Sequence, residues 1–327
     1  MYFTNKNNFF HGIMFHHFHD GKTHLKSQGS ISKDEFYKII KFIGRNNILD
    51  ADIFFSRLKE NSLSDRDVCF TFDDGIKCQF DIALPILEDL QIKSFFFVYT
   101  SMFEGEPDNL EVFRYFRMNY FEHINIFYEK FYEKLDRDLN KFFISKKNQI
   151  IQKKIISPYY SEEDIRFRLI RDEFLEKKDY ERLMFKMFDD YKFNYRDHYS
   201  KLFFSANDLN QLDKLGHSIG FHSHNHPTLI TKLSFLEQKQ EYIKCINIIS
   251  KILNKPKKYL NFMSYPNGNY NNDTLKILKS LKIELGFRHN MSIDMSNENF
   301  KINNTKLEIA RQNHSTILNQ IKEENFE

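Results

Sequence analysis

The chain of 327 residues is longer than a minimal domain and suits one barrel-sized domain with an insertion, or two modest domains. Its 48 Lys and Arg nearly balance its 45 Asp and Glu, so the net charge of +3 is too small to indicate nucleic acid or an anionic membrane as a partner. The three cysteines lack CxxC spacing and indicate neither a disulfide framework nor a cysteine-based zinc site.

The amino terminus and the apolar runs bear on localisation. Residues 1–6 lack the basic region and the long apolar stretch of a signal peptide. No apolar run in the sequence approaches the ~20 residues that span a bilayer. We therefore expect a cytoplasmic protein without a transmembrane segment, and the oligomeric state stays open.

The first hundred residues alternate between predicted strands and helices. Residues 12–15 form a short apolar strand that runs into histidines, and a capping box at 32–35 starts a helix. The unbroken apolar run at 68–72 predicts a buried strand, while 81–90 and 94–99 predict a helix and a further strand. This order has the size of a βαβ unit, and parallel strands of this kind place functional sites at their carboxyl edge.

Residues from about 105 to 200 have a different character, being highly charged, rich in Phe and Tyr and almost free of Gly and Pro. Apolar side chains between Phe113 and Leu135 fall on one helical face, and further helices are predicted near 161–174 and 183–188. An aromatic core stripe explains that face better than a ligand-binding surface does. We interpret the segment as a helical insertion in a single domain that covers residues 1–327.

The alternation of strands and helices resumes after this segment. Helices are predicted at 234–253 and 273–281. Extended segments are predicted at 259–265, 283–287 and 307–310. The sequence contains no internal repeat.

Asp73 and Asp74 follow the buried strand at 68–72 directly. Adjacent carboxylates repel each other, so a buried pair needs a cation, a proton or a hydrogen-bond network to persist. The alternative is that both residues merely cap the helix that follows them. These residues alone do not decide between a site and a cap.

His222 and His226 lie four residues apart in a polar segment. If the segment is helical, both imidazoles lie on one face and can bind one metal ion. Imidazole nitrogen together with carboxylate oxygen suits a borderline divalent ion such as zinc, and Asp74 is a candidate third ligand that leaves one position open for water. The alternative is a pair of ordinary surface histidines, and we interpret His217 and His224 as bystanders.

Two of these segments together resemble a known family. Residues 71–75 (TFDDG) and 220–227 (GFHSHNHP) are similar to the first two motifs of the polysaccharide deacetylases, the NodB-homology family or carbohydrate esterase family 4. The resemblance covers about 10–100 and 205–311 and leaves the insertion unexplained. It implies an α/β fold, a distorted (β/α)7 barrel with a mainly helical insertion.

The resemblance also implies roles for four residues. In the family, the TFDDG motif supplies a catalytic base and a metal-binding Asp, and the second motif supplies two metal-binding histidines. Carried over, Asp73 is the base, and the metal ligands are Asp74, His222 and His226. The implied cofactor is a divalent ion, Zn²⁺ in the first place, with Co²⁺, Mn²⁺ or Ni²⁺ as alternatives.

Residues 264–268 (SYPNG) resemble the third family motif, R-x-P-[YF]-G, but Ser264 stands where the family has arginine. The Y-P-x-G form is similar to the branch that acts on poly-N-acetylglucosamine. In the family, the backbone N–H of the residue after the proline helps to stabilise the oxyanion, which implies Asn267, next to Pro266. Arg311 could supply the missing guanidinium from a later strand, and the alternative is an ordinary surface arginine.

The general acid is the least defined part of the resemblance. The usual C-terminal L-x-H motif, whose histidine is the acid, has no clean match in this chain. The poly-N-acetylglucosamine branch instead uses a histidine after the first strand, and residues 15–17 (FHH) resemble the Y-H found there. That position makes His16 the first candidate for the acid and His17 the second. His289 and His314 stay open as alternatives, as does a histidine that only shapes the barrel rim.

The predicted function is metal-dependent removal of an N-acetyl group from an amino sugar of a polysaccharide or glycan intermediate, with release of acetate. The partner is then an N-acetylated sugar or glycan and not a nucleic acid. One alternative is hydrolysis of another small-molecule C–N bond on the same fold, and another is a non-catalytic carbohydrate-binding relative. The sugar, the acyl group and the carrier of the glycan stay open.

Overall fold

Seven parallel strands form the main sheet of the structure. This computed structural model describes residues 11–135, 137–156, 160–289 and 305–324. The strands are β1 (His11–Phe15), β2 (Phe18–His19), β3 (Ile31–Ser32), β4 (Val68–Phe72), β5 (Phe95–Val98), β6 (Ser218–Phe221), β7 (Phe262–Ser264), β8 (Leu285–Phe287) and β9 (Arg311–Asn313). Their order in the main sheet is β8-β7-β6-β5-β4-β1-β9, and β2 pairs separately with β3.

The main sheet curves into a nearly closed barrel. Ile309, just before β9, forms a parallel bridge with Phe287 of β8, and its N–H donates to the Gly286 carbonyl at 2.9 Å. The predicted distorted (β/α)7 barrel is therefore confirmed. The last strand does not lie at the predicted 307–310. Ile309 in that range bridges to β8 and closes the barrel. The strand that pairs with β1 consists of Arg311 to Asn313.

The described residues also form α-helices. They are α1 (Lys33–Ile43), α2 (Ala51–Glu60), α3 (Leu84–Asp89), α4 (Asn109–Asn119), α5 (Ile124–Leu135), α6 (Asn140–Ser145), α7 (Lys147–Ile156), α8 (Glu162–Leu169), α9 (Lys177–Asp190), α10 (Tyr199–Leu202), α11 (Ala206–Lys214), α12 (Phe235–Leu253), α13 (Asn272–Ser280) and α14 (His314–Glu323). The predicted capping box starts α1, since the Ser32 hydroxyl accepts the Glu35 N–H and the Glu35 carboxylate accepts the Ser32 N–H.

The helix predicted at 81–90 begins differently. Residues Gln79–Ala83 form a π-helical turn, and α3 follows it. Pro85 has no N–H to donate to the carbonyl four residues earlier, and the preceding Leu84 N–H bonds to the Gln79 carbonyl, five residues back. The turn keeps Gln79 fully buried, and its amide donates to the carbonyl of Asp73, which follows β4.

The described residues form two compact units. The first contains 11–24, 31–108, 203–289 and 305–324, and the second contains 25–30, 109–135, 137–156 and 160–202. The interpretation of the whole chain as one barrel domain with an insertion stays a prediction.

The second unit has a core of aromatic side chains. Phe113, Phe116, Phe127 and Phe131 are buried, as expected for a core stripe, but α4 and α5 are separate helices with a break at 120–123. A buried carboxylate also lies in this unit. Asp164 accepts hydrogen bonds from the Tyr128 hydroxyl at 2.9 Å and from the Arg168 guanidinium at 2.8 Å. Within the described chain, no helix is both long and apolar enough to cross a membrane.

Candidate metal centre

Most polar residues of the candidate site lie at the carboxyl ends of strands, whereas the Arg311 side chain extends to them from the amino end of β9. Asp73 and Asp74 follow β4, and His222 follows β6. Ser264 is the last residue of β7, and Arg311 is the first residue of β9. Parallel strands bring their carboxyl ends to one edge of a barrel, so residues far apart in sequence meet there.

Asp74, His222 and His226 form one cluster of potential metal ligands. Their ligand atoms all lie within 4.8 Å of one another. The Asp74 Oδ1 atom is 3.3 Å from the Nε2 atoms of both histidines. This buried oxygen makes no hydrogen bond to any described residue, so it is the kind of polar atom that a bound cation would satisfy.

The second nitrogen of each imidazole is already engaged. His222 donates from Nδ1 to the Ser264 carbonyl at 2.8 Å. His226 donates from Nδ1 to the Asp108 carboxylate, also at 2.8 Å. Such contacts are typical of metal-binding histidines, because they fix the tautomer and leave Nε2 free to bind the ion. Both Nε2 atoms face Asp74.

The loop that carries the two histidines is not helical, so the two rings meet by a different route from the helical one considered above. Ser223 and His226 have left-handed backbones, with φ of 67° and 51°. The ring centroids of His222 and His226 are 5.1 Å apart as a result. The Glu241 carboxylate of α12 accepts the backbone N–H groups of His224 and Asn225, which lie between the two ring-bearing residues. A tight loop anchored from a helix thus takes the place of a helical turn.

The charges at this cluster are strongly coupled. Burial raises the pKa of Asp74, but the nearby imidazoles of His226 and His222 outweigh it and hold that pKa well below its usual range. Burial lowers the pKa of His226, yet Asp74 and Asp108 together raise it to about 10. A metal ion that binds the Nε2 atom of His226 would compete with a proton there. One carboxylate oxygen and two imidazole nitrogens around one point fit a divalent transition metal.

Asp73 is held separately from the cluster. Its Oδ1 atom accepts a hydrogen bond from Arg311 Nη1 at 2.7 Å and another from the Ser264 hydroxyl at 3.1 Å. Burial raises the pKa of Asp73, but Arg311, with smaller contributions from His222 and His16, outweighs it and keeps the pKa below the usual value. The helical turn that follows has Cys78 as its N-cap and no side-chain cap, so the interpretation of Asp73 and Asp74 as helix caps is wrong.

Arg311 is not an ordinary surface arginine. Its side chain is fully buried, and its Nε donates to the Arg288 carbonyl at 2.6 Å. Ser264 occupies the position where the family motif has arginine, and its hydroxyl bonds the same Asp73 oxygen that Arg311 bonds. A guanidinium from β9 thus bonds Asp73 beside the hydroxyl of Ser264.

His16 lies at the opposite side of Asp74. Its Nε2 atom is 3.8 Å from Asp74 Oδ2. Burial lowers the pKa of His16 to about 4, and the nearby carboxylates only partly offset this. The Gln79 amide donates to the His16 carbonyl at 3.0 Å and to the Asp73 carbonyl at 2.6 Å. One buried side chain therefore ties together the ends of β1 and β4.

The third motif forms a tight turn after β7. Pro266 is buried, and Asn267 is exposed with a left-handed φ of 51°. A side chain at Gly268 would have its Cβ only 2.3 Å from the Cβ of His289, so glycine is required there. His289 thus lies against the third motif.

The remaining histidines have other surroundings. The ring of His17 lies beside that of His16, with centroids 6.3 Å apart. His314 is buried at the start of α14, stacks on Phe15 and bonds the Met14 carbonyl, which makes it part of the barrel core. His224 bonds Thr100 and His217 bonds the Ser94 N–H; neither belongs to the ligand cluster.

Three residues that support the candidate metal centre were not predicted from the sequence. Asp108, Glu241 and Gln79 lie outside the three motifs, and each contacts the site across a gap in sequence. A carboxylate after a tight turn, a glutamate in a long helix and a glutamine after the TFDDG motif are all common. Only the folded chain distinguishes them.

Replacing Asp108 by alanine is expected to weaken metal binding about 10- to 100-fold, because loss of a carboxylate that orients a metal-binding histidine typically has this effect. Metal affinity measured by competition with a chromophoric chelator tests this. Glu106→Ala is the matched control, since that exposed side chain lies two residues away and makes no described contact with the cluster. Equal affinities for the wild-type protein and Asp108→Ala would contradict the orienting role.

Comparisons with known proteins agree with this geometry. More than half of the chain, residues 60–117 and 175–286, matches the model of the family described as polysaccharide deacetylase. The chain therefore belongs to the polysaccharide deacetylase family. The matched segments include the Asp pair, both histidines of the cluster and the third motif, but not His16 or Arg311.

Solved structures of deacetylases share the fold. The Streptococcus pyogenes deacetylase PplD is 16% identical with a TM-score of 0.54, over 93% of this chain and 91% of its own. IcaB from Ammonifex degensii is 12% identical with a TM-score of 0.52, again over 93% and 91%. A de-N-acetylase from Aggregatibacter actinomycetemcomitans is 12% identical with a TM-score of 0.50, over 92% and 93%. No curated protein matches the chain in sequence.

Proposed function

We propose that this protein is a metal-dependent N-deacetylase that hydrolyses the N-acetyl group of an amino sugar in a polysaccharide or glycan intermediate and releases acetate. The family membership supports a deacetylase that acts on an acetylated sugar substrate. The observation that carries the finer proposal is the cluster of Asp74, His222 and His226 beside a separately held carboxylate, Asp73.

In this proposal, the three residues of the cluster hold one divalent ion, Zn²⁺ in the first place. A bound ion of this kind lowers the pKa of a water ligand and polarises a carbonyl oxygen. The donor set of one carboxylate and two imidazoles suits zinc but also Co²⁺, Mn²⁺ or Ni²⁺. Three protein ligands leave room for water and substrate, as a catalytic site requires.

Asp73 is the proposed general base. Arg311 and Ser264 both donate to Oδ1, and no described residue donates to Oδ2, which leaves Oδ2 to accept the proton of the attacking water. The lowered pKa keeps the carboxylate ionised at neutral pH, as a base must be. Arg311 thus positions the base and keeps it charged.

The proposed oxyanion donor is the backbone N–H of Asn267, next to Pro266. The left-handed turn presents this exposed residue at the end of β7, the same strand whose Ser264 contacts Asp73. A single donor to a developing oxyanion contributes about 3–4 kcal/mol to catalysis in a well-studied hydrolase.

His16 is the proposed general acid that protonates the leaving amine. Because its pKa is about 4, the imidazole is neutral at neutral pH. It must therefore acquire the proton that it donates within the catalytic cycle, and the proton that Asp73 removes from water is the available source. His289, beside the third motif, is the alternative acid.

The test is acetate release from N-acetylglucosamine oligomers by the purified protein, with and without prior removal of metal by a chelator. We expect release that falls by at least tenfold after chelation and returns on addition of Zn²⁺, Co²⁺, Mn²⁺ or Ni²⁺. Metal binding without acetate release would direct the search to another amide, and the absence of both would favour a carbohydrate-binding relative.

A further inference from the structure

Charged residues are unevenly distributed in the second unit. Between residues 139 and 161 the sequence contains five lysines and no Asp or Glu, although the whole chain has 45 acidic residues. This stretch contains α6 and α7. The small net charge of the whole chain conceals this local concentration of positive charge.

Isoleucines of the same stretch are unusually exposed. The exposed fraction is 76% for Ile144, 67% for Ile155 and 48% for Ile151. Ile150, by contrast, is buried and packs with Ile165 and Leu169, the latter two in α8. Helix α7 is therefore docked on one side and leaves isoleucines on another side in contact with solvent.

Lysines lie beside the exposed isoleucines. Lys147, Ile151 and Ile155 are spaced four residues apart and therefore share one face of α7. Within the part of the chain that the structure describes, Lys141 and Lys147 have no carboxylate within ion-pair distance, whereas Lys146 pairs with Glu173 at 2.6 Å. We call the side chains of Lys141, Ile144, Lys147, Ile151 and Ile155 the α6–α7 patch.

We propose that the α6–α7 patch binds the surface of an anionic phospholipid bilayer. Helices that lie in the membrane interface combine apolar side chains, which enter the headgroup region, with lysines that attract anionic lipids. The patch has both features and lacks any acidic residue that would oppose them. It needs no helix long enough to cross the membrane.

Two other occupants fit the patch less well. Protein–protein interfaces are enriched in Trp, Tyr and Arg and depleted in Lys, whereas this patch contains only Lys and Ile. A second copy of the chain would bring two sets of unpaired lysines together, and like charges at an interface oppose association. Charge complementarity with anionic lipid headgroups therefore favours the bilayer.

Vesicle sedimentation tests the proposal. The full chain is mixed with vesicles of phosphatidylglycerol and phosphatidylcholine, or of phosphatidylcholine alone. We expect binding to the anionic vesicles that is at least fivefold stronger than to the neutral ones and that weakens as salt is added. Lys141→Glu with Lys147→Glu, and separately Ile151→Ser with Ile155→Ser, should each reduce binding at least fivefold.

Matched controls come from the first unit. Leu236→Ser and Lys257→Glu change an exposed apolar and an exposed basic side chain elsewhere, and should leave vesicle binding unchanged. Because all patch side chains are exposed, the patch variants should fold, and unchanged circular dichroism together with unchanged acetate release from soluble oligomers checks this. Equal binding to both vesicle types, no binding to either, or undiminished binding of the patch variants would overturn the proposal. The proposal would also be overturned if light scattering showed that the wild-type protein is a dimer and that the patch variants are monomers.

Discussion

Replacing His222 by alanine is expected to abolish stoichiometric metal binding and, with it, acetate release. His222 is almost fully buried, and its Nε2 faces the Asp74 oxygen that lacks a hydrogen bond. Removing one of three protein ligands should weaken metal binding by more than the ~100-fold that loss of an orienting partner causes. Metal content by mass spectrometry and acetate release from N-acetylglucosamine oligomers, measured on the same preparation, check this result.

His123→Ala is the control for this prediction, since that imidazole is exposed and lies outside the cluster. It should keep the metal content and the activity of the wild-type protein. A folded His222→Ala protein that retains one metal ion per chain would show that the ion binds elsewhere. Loss of metal without loss of acetate release would instead separate the reaction from the metal.

Replacing Asp73 by asparagine is expected to lower the rate of deacetylation about 10²- to 10⁴-fold while metal binding persists. The amide has nearly the shape of the carboxylate and can still accept hydrogen bonds from Arg311 and Ser264, but it cannot accept the proton of water. Asp73 lies outside the ligand cluster, so the metal content should stay near that of the wild-type protein. Steady-state kinetics should show the loss in kcat.

The control here is Asp52→Asn, which changes an exposed carboxylate of α2 and should have no effect on kcat. If Asp73→Asn lost the metal together with activity, Asp73 would be a ligand rather than the base. If its kcat equalled that of the wild-type protein, another group would take the proton. The two predictions together therefore distinguish the ligand role from the base role.

Local sequence predicted much of the framework. The capping box at Ser32 and Glu35, the buried strand that ends at Asp73 and the long helix near 234–253 depend on residues close to one another in the chain. Helix and strand periods reflect such short-range hydrogen bonds and side-chain directions, so they can be read without knowledge of the fold. The motifs around Asp74 and His222 likewise pointed to the family before any distance was known.

Local patterns failed where the backbone adopts special conformations. A helical turn is one way in which the spacing of His222 and His226 could bring the rings together, but left-handed residues and the anchoring Glu241 shape this loop instead. The last strand begins at Arg311 rather than near 307, because the preceding residues close the barrel against β8. In both cases a contact with a distant element outweighs the local preference.

The sequence by itself determined the type of barrel, the family and the residue types that can hold a metal ion. Only the tertiary structure decided which side chains hydrogen-bond to the candidate base and to the candidate metal ligands. Arg311 reaches Asp73 over 238 residues of chain, and His226 meets Asp108 over 118. Such pairs form because the folded chain brings distant segments together, and no local period encodes those long-range contacts. The α6–α7 patch shows the same division. Its lysines and isoleucines can be read from the sequence, but the exposure of the isoleucines is known only from the structure.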